Sequence, residues 1–210
     1  FELSKDQMDS PYTGPNSFGK TYREHREFLE LSDEEHFEIY KYAKSKGLDF
    51  VETLCSPTCL SILKFFTPDR LKVASRDLSN LPLLSSLAET KIPVILSTGM
   101  SDQRDLNIAL EIITNYHDNI SILHCVSQYP THPENANLNT IKYLIDRYSK
   151  FDIGYSDHTM PDQSMLVLLE SFKYGAQIIE KHFTSDNCKG LKNNDHFHSM
   201  DFHDLKLLRG

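Results

Sequence analysis

Short apolar runs alternate with longer amphipathic stretches along most of this chain. The apolar runs cover residues 48–55, 70–75, 92–98 and 120–126, and two more begin at residues 151 and 176. Helical spacing of apolar residues fills the intervals between them. Apolar strands that alternate with helical periods are typical of consecutive βα units, which build parallel sheets. The pattern therefore predicts an α/β fold with six strands.

The first part of the chain lacks this rhythm. Residues 1–30 are polar and rich in turn-forming residues, which predicts a long loop leading into the first clear helix. Ser32 is the expected N-cap of that helix, Glu35 completes a capping box, and Gly47 follows its end.

Polar side chains stand at the carboxyl ends of all six predicted strands. Strand ends share one mouth in a barrel, whereas an open doubly wound sheet concentrates its site at one switch point. The pattern therefore predicts that residues 1–210 are part of a (β/α)8 TIM-type barrel, with two βα units upstream. Capping of the following helices is the alternative role for each hydroxyl. The residues are Thr53, Ser75, Ser97, Ser127, Ser156 with His158, and His182.

Composition narrows the class of protein. Hydrophobic residues make up 39% and charged residues 25%, as in soluble globular proteins. The net charge of −8 argues against a nucleic-acid surface, and the apolar run Met165–Leu169 is too short to span a membrane. The four cysteines, Cys55, Cys59, Cys125 and Cys188, form no CxxC pair, which predicts reduced thiols in a cytoplasmic protein.

The last two predicted strands each end in a histidine. Period-2 alternation places Ser156 and His158 on one side of the first strand, and Glu180 and His182 on one side of the second. If the strands are neighbours, both imidazoles face one space at the same end of the sheet. Two convergent histidines suit a divalent metal or an acid/base site, although either one alone is as often structural.

Other candidates surround this pair. Lys72 lies within a strand, where a buried lysine needs a partner such as a phosphate or carboxylate; the alternative is a lysine that snorkels from the start of the strand. Ser97-Thr98-Gly99 is a weak phosphate-binding pattern. His124 is expected to be structural.

A polar segment late in the chain, K-N-N-D-H-F-H-S-M, contains Asp195, His196 and His198. The His-x-His spacing resembles a metal-ligand pattern. Loop histidines are usually solvated, so we expect these two to face water.

Four linked motifs then become recognisable, in this order: K-I-P-V-I-L-S-T-G-M, H-C-V-S-Q-Y-P-T, I-G-Y-S-D-H-T and I-I-E-K-H-F-T. They resemble the N-acetylneuraminate synthase family, which includes legionaminic and pseudaminic acid synthases and spore-coat polysaccharide proteins. The resemblance runs from about Leu31 to Asp204. It implies a (β/α)8 barrel followed by an antifreeze-like domain, in a cytoplasmic homodimer.

The resemblance also implies an activity. The family condenses phosphoenolpyruvate with an N-acetylated hexose, such as N-acetylmannosamine, to give a nine-carbon 2-keto sugar acid and phosphate. The resemblance implies that His158 and His182 are the ligands of a divalent ion, usually Mn²⁺, with Mg²⁺ or Co²⁺ as alternatives. The resemblance also implies that Tyr129 and Asp195 bind the sugar. It implies a catalytic role for Asp77, Lys72 and His158. Phosphoenolpyruvate would contact Thr53, Lys72, Ser75, Ser97, Ser127 and Ser156.

The chain departs from the family pattern at several positions. Arg76-Asp77 stands where many members have a glycine and the acid/base glutamate, and Ser127 stands where asparagine is common. The segments Y-P-T-H and K-N-N-D also differ near the sugar, so the identity of the sugar stays open. Two other functions remain: a different metal-dependent sugar isomerase or aldolase, and an inactive truncated barrel that acts as a binding module.

Overall fold

Six parallel strands form the centre of the protein. The structure, a computed structural model, describes residues 5–162, 164–185 and 194–209. Each strand lies within one of the six predicted apolar runs. The strands are β1 (Val51–Thr53), β2 (Arg70–Val73), β3 (Val94–Ser97), β4 (Ile120–Cys125), β5 (Asp152–Asp157) and β6 (Ile178–Lys181).

The strand order decides between the two candidate architectures. Every strand is hydrogen-bonded to the next one in sequence, giving the order β1-β2-β3-β4-β5-β6. A doubly wound sheet reverses its order at a switch point, and this sheet has no reversal. The curved parallel sheet is therefore part of a (β/α)8 barrel, as predicted.

Helices connect the strands and cover the outer side of the sheet. The α-helices are α1 (Lys5–Met8), α2 (Tyr22–Leu29), α3 (Asp33–Ser45), α4 (Leu81–Glu89), α5 (Gln103–Thr114), α6 (Asn139–Arg147), α7 (Leu166–Lys173) and α8 (Phe202–Arg209). Four 3₁₀ segments accompany them: Pro57–Lys64, Ser75–Asp77, Pro133–Asn135 and Asn194–His198. No helix in the described part of the chain is long and apolar enough to cross a membrane.

The predicted start of α3 is confirmed. The Ser32 hydroxyl accepts a hydrogen bond from the Glu35 amide, and the Glu35 side chain accepts one from the Ser32 amide. Gly47 follows with φ +72°, a conformation that favours glycine.

The long loop predicted over residues 1–30 is interrupted by α1 and α2. The Thr21 hydroxyl caps α2 by accepting from the Glu24 amide at 3.2 Å. Aromatic contacts hold α2, with the rings of Phe18 and Phe28 stacked at 4.7 Å. The hydrophobic pattern does not predict this helix, because the helix is short and has no buried residue.

Alternation in the strands separates the core from the inner side of the curved sheet. Leu71 and Val73 of β2 are fully buried and belong to the core that the sheet shares with the helices. Lys72, between them, points the other way. Odd and even positions therefore divide into core residues and residues that face the barrel interior. Cys55, Cys59 and Cys125 are free thiols, and Cys188 lies outside the described residues.

Candidate active site

The two predicted histidines meet at the carboxyl ends of β5 and β6. The ring centres of His158 and His182 are 5.2 Å apart, with the planes at 61°. His158 Nδ1 lies 3.2 Å from the Val126 carbonyl oxygen, so it serves as the N–H donor and leaves Nε2 free to accept. Burial lowers the pKa of His158, aided by the neighbouring His182. The neutral imidazole that results is the form that binds metals.

A chain of polar contacts joins β2, β6 and β5 inside the barrel. Ser156 Oγ donates to Glu180 Oε1 at 2.7 Å, and Lys72 Nζ lies 3.6 Å from Glu180 Oε2. Lys72 also donates to the Val73 carbonyl oxygen at 3.0 Å and is only 6% exposed. Lys72 is therefore paired inside the barrel, and the snorkelling alternative does not hold. Glu180, which the sequence placed only by alternation, is the residue that connects this group.

Gly99 brings the loops after three strands close together. Its amide donates to Ser75 Oγ at 3.1 Å. A Cβ at this position would lie 2.6 Å from Ser127 Oγ and 2.9 Å from Cys125 Sγ, closer than such atoms approach. Any other residue would force these side chains to move, and the predicted candidates Ser75 and Ser127 surround Gly99.

Two of the predicted hydroxyls are buried without a partner. Ser97 is 1% exposed. Neither Ser97 Oγ nor Ser127 Oγ has a hydrogen-bond partner of good geometry within the described residues. Buried hydroxyls are normally satisfied, so these two are available to a ligand.

Tyr129 and Asp195, the predicted sugar-binding pair, lie beside the histidines. The Tyr129 ring centre is 4.2 Å from that of His158 and 6.4 Å from that of His182. Burial raises the pKa of Tyr129, and the Asp195 carboxylate is near enough to raise it further. Tyr129 is still half exposed, so it can reach a ligand at the mouth.

His198 also lies in this cluster, so the expectation that it faces water is wrong. It is fully buried, with its ring centre 4.7 Å from that of His182 and 5.7 Å from that of His158. Burial lowers its pKa to about 4, so the ring is neutral near pH 7. His196 bonds elsewhere, with Nδ1 2.8 Å from Thr184 Oγ1.

Thr53 and Asp77 occupy the side of the mouth near β1 and β2. Thr53 is exposed and pairs in register with Lys72, which places both on one side of the sheet. The largely buried Asp77 carboxylate lies 3.3 Å from Arg76 Nε, and Arg76 Nη2 donates to Cys55 Sγ at 3.1 Å.

His124 has the structural role that was expected. Its Nε2 lies 2.7 Å from the Ala136 carbonyl oxygen, and its ring stacks on Tyr155. It points away from the histidine pair.

The donor set at the strand ends suits a divalent ion. His158 has one ring nitrogen fixed by a backbone carbonyl, which is the usual arrangement behind a ligating imidazole. As the side chains stand, no three His, Cys, Asp or Glu residues in the described ranges present their donor atoms to one metal position. The candidate ligands for a metal are therefore the two histidines His158 and His182.

Comparison with known proteins identifies the family. The model of the NeuB family matches residues 2–209. This chain belongs to the NeuB family. It is 36% identical over 185 residues to the N,N'-diacetyllegionaminic acid synthase of Legionella pneumophila, covering 86% of this chain and 50% of that protein. It is 30% identical over 208 residues to the N-acetylneuraminate-9-phosphate synthase of Drosophila melanogaster, covering 99% of this chain and 55% of that protein.

Structural comparison agrees with the sequence. The N-acetylneuraminic acid (sialic acid) synthetase of Leptospira borgpetersenii, solved in complex with citrate, superimposes with a TM-score of 0.81 at 32% identity. The match covers 91% of this chain and 66% of that one. The chain spans about half the length of the curated NeuB relatives it matches. The predicted resemblance and the barrel fold are both confirmed.

Proposed function

We propose that this NeuB-family protein condenses phosphoenolpyruvate with an N-acetylated hexose to give a nine-carbon 2-keto sugar acid and phosphate. One observation carries the proposal: a buried lysine, two hydroxyls without a partner among the described residues and a pair of histidines face the same barrel mouth. The relatives are named as synthases of this class of sugar acid.

The inner part of the mouth suits phosphoenolpyruvate. This ligand carries a carboxylate and a phosphate, and both need cationic and neutral donors. Lys72 supplies the cation, and the free hydroxyls of Ser97 and Ser127 supply donors. Glu180 balances the Lys72 charge at 3.6 Å, and a trianionic ligand would compete with that contact.

The outer part of the mouth suits the sugar. The Tyr129 phenol can donate a hydrogen bond to a sugar hydroxyl, and the Asp195 carboxylate can accept one. Both lie next to the histidine cluster. An aldehyde held there would point toward phosphoenolpyruvate.

The reaction joins C3 of phosphoenolpyruvate to the aldehyde carbon of the sugar. His158 and His182 would hold a divalent ion, with Mn²⁺ the first choice, and such an ion polarises an aldehyde when bound. Water then adds to C2, and phosphate leaves as the C2–O bond breaks. Asp77, at the β2 end of the mouth, would take one proton of that water and pass it to the former aldehyde oxygen, which becomes a hydroxyl. The second proton of the water leaves with the phosphate, which Lys72 holds.

The proposal is tested by phosphate release. The full-length protein, mixed with phosphoenolpyruvate, N-acetylmannosamine and Mn²⁺, should release inorganic phosphate only when all three are present. A panel of other N-acetylated hexoses identifies the preferred sugar. Turnover of sugar without phosphoenolpyruvate would instead favour the isomerase or aldolase alternative, and no phosphate from any sugar would refute the synthase.

Removing the Lys72 charge should weaken phosphoenolpyruvate binding. Truncating a buried charge partner typically costs about 2 kcal/mol or more. We therefore expect Lys72→Met to raise the KM for phosphoenolpyruvate by about 30-fold or more. Lys64→Met, on the exposed end of a 3₁₀ segment, is the matched control. An unchanged KM in Lys72→Met would remove Lys72 from the site.

Asp77 should affect the rate more than binding. A general acid or base contributes about 10²- to 10⁴-fold, so Asp77→Asn is expected to lower kcat by that factor with little change in KM. Asp77→Glu, which keeps the carboxylate, should recover part of the loss. Equal kcat values for Asp77→Asn and the unaltered protein would assign the proton transfer to another group.

A further inference from the structure

His198 is a buried imidazole for which the structure gives no hydrogen-bonding use. Its exposure is 0%, and neither Nδ1 nor Nε2 has a partner among the described residues. Buried imidazole nitrogens are expected to be satisfied, and those that are not need an explanation such as an ion. No backbone group in the described residues provides a hydrogen-bond partner for either nitrogen.

The three rings have the spacing of imidazoles on one cation. With metal–nitrogen distances of about 2.1 Å, the ring centres of two ligating histidines lie about 5 Å apart. The observed separations among His158, His182 and His198 are 5.2, 5.7 and 4.7 Å. The rings meet edge to face at 61–73° and are not stacked, so rotation of the side chains can turn one nitrogen of each toward a common point. Such rotations are required, because the donor atoms do not converge as they stand.

The backbone ties His198 to the strand that carries His182. The Met200 amide donates to the His182 carbonyl oxygen, and the Thr184 amide donates to the Met200 carbonyl oxygen, both at 2.9 Å. Ser199 Oγ closes the preceding 3₁₀ turn by donating to the Asp195 carbonyl oxygen at 2.6 Å. The backbone position of His198 is thus fixed by protein contacts before any ligand binds.

The surrounding charges favour a cation. Asp195 lies in the same 3₁₀ segment as His198, and Glu180 lies in β6, two positions before His182. Lys181, the lysine of β6, is paired with the Asp157 carboxylate at 2.6 Å. Two carboxylates near three imidazole rings suit a divalent ion.

We propose that His198 is a third imidazole ligand of the divalent ion that His158 and His182 hold. This inference rests on the proposed function for the existence of the ion, and it adds a ligand from a different segment of the chain. A third protein ligand leaves fewer coordination positions for water and substrate oxygens. It would also couple metal binding to the segment that carries Asp195, the proposed sugar contact.

The test measures metal binding without turnover. Titration calorimetry with Mn²⁺ alone and the visible spectrum of bound Co²⁺ are compared for His198→Ala, His198→Phe and the exposed control His203→Ala. Phenylalanine keeps the ring volume without nitrogens, so it separates lost ligation from a cavity. We expect the Kd for Mn²⁺ to rise at least about tenfold in both His198 variants, with an altered Co²⁺ spectrum, and to stay unchanged in His203→Ala.

The outcomes separate the two proposals. His182→Ala serves as the reference for loss of a proposed ligand. If His182→Ala loses Mn²⁺ while His198→Phe binds it as tightly as the unaltered protein, with the same Co²⁺ spectrum, His198 is not a ligand and the proposed function stands. If the unaltered protein binds neither ion, the metal-dependent function and this inference both fail. A His198→Phe variant that changes only the KM for the sugar would overturn the inference in favour of a sugar contact.

Discussion

His158→Ala is expected to remove tight Mn²⁺ binding and synthase turnover together. His158 has one nitrogen bonded to the Val126 carbonyl oxygen and the other free, so alanine deletes the nitrogen that is available to a metal. We expect His182→Ala to behave in the same way. Each variant should lower kcat/KM by more than about 10²-fold, because each removes one of the two proposed imidazole ligands and water does not hold the ion in its place.

The measurement pairs metal titration with phosphate release. Chelation of the metal from the unaltered protein should reproduce the loss, and added Mn²⁺ should restore it there but not in the variants. His132→Ala is the control, because its side chain is 65% exposed on a loop outside the cluster. If the His158→Ala, His182→Ala double variant retains its affinity for Mn²⁺, these two histidines are not the metal ligands.

The strand ends were predictable because they depend on local pattern alone. Buried parallel strands read as continuous apolar runs, and period-2 alternation then assigns each side chain to one side. Those two rules placed Ser156, His158 and His182 on the inner side before any coordinates. The sequential strand order followed from the polar ends, since a barrel is the fold in which all of them meet.

The remaining parts of the site depend on contacts between distant segments. Glu180 was placed on the correct side, and its contact with Ser156 follows from the pairing of β5 and β6, but its contact with Lys72 arises only when β2 and β6 approach across the barrel. His198 lies in a segment with no periodic pattern. Its burial depends on the backbone pairing of Met200 with the residues just after β6, and local sequence patterns do not predict that pairing.

Strands β5 and β6 carry a buried polar pair on the side opposite Ser156 and Glu180. Asp157 and Lys181 are register partners whose side chains are each 1% exposed, and Lys181 Nζ donates to Asp157 Oδ2 at 2.6 Å. Lys181 also donates to the Thr159 carbonyl oxygen, and Asp157 accepts from the Tyr155 hydroxyl at 2.9 Å. Burial lowers the pKa of Lys181, and the Asp157 carboxylate opposes that change. This network fixes the two strands one residue before His158 and His182.

Lys181→Met is therefore expected to be strongly destabilising. It leaves Asp157 buried without its cation, which typically costs about 3–5 kcal/mol of the free energy of unfolding. Lys173→Met is the matched control, since that side chain is 71% exposed and its pairing with Glu170 is worth about 1 kcal/mol or less. Urea denaturation followed by circular dichroism gives both values. The Asp157→Asn, Lys181→Met double variant should be more stable than Lys181→Met, because asparagine removes the unpaired charge and keeps an acceptor for Tyr155. A double variant less stable than Lys181→Met would mean that packing, and not charge, dominates at the strand ends.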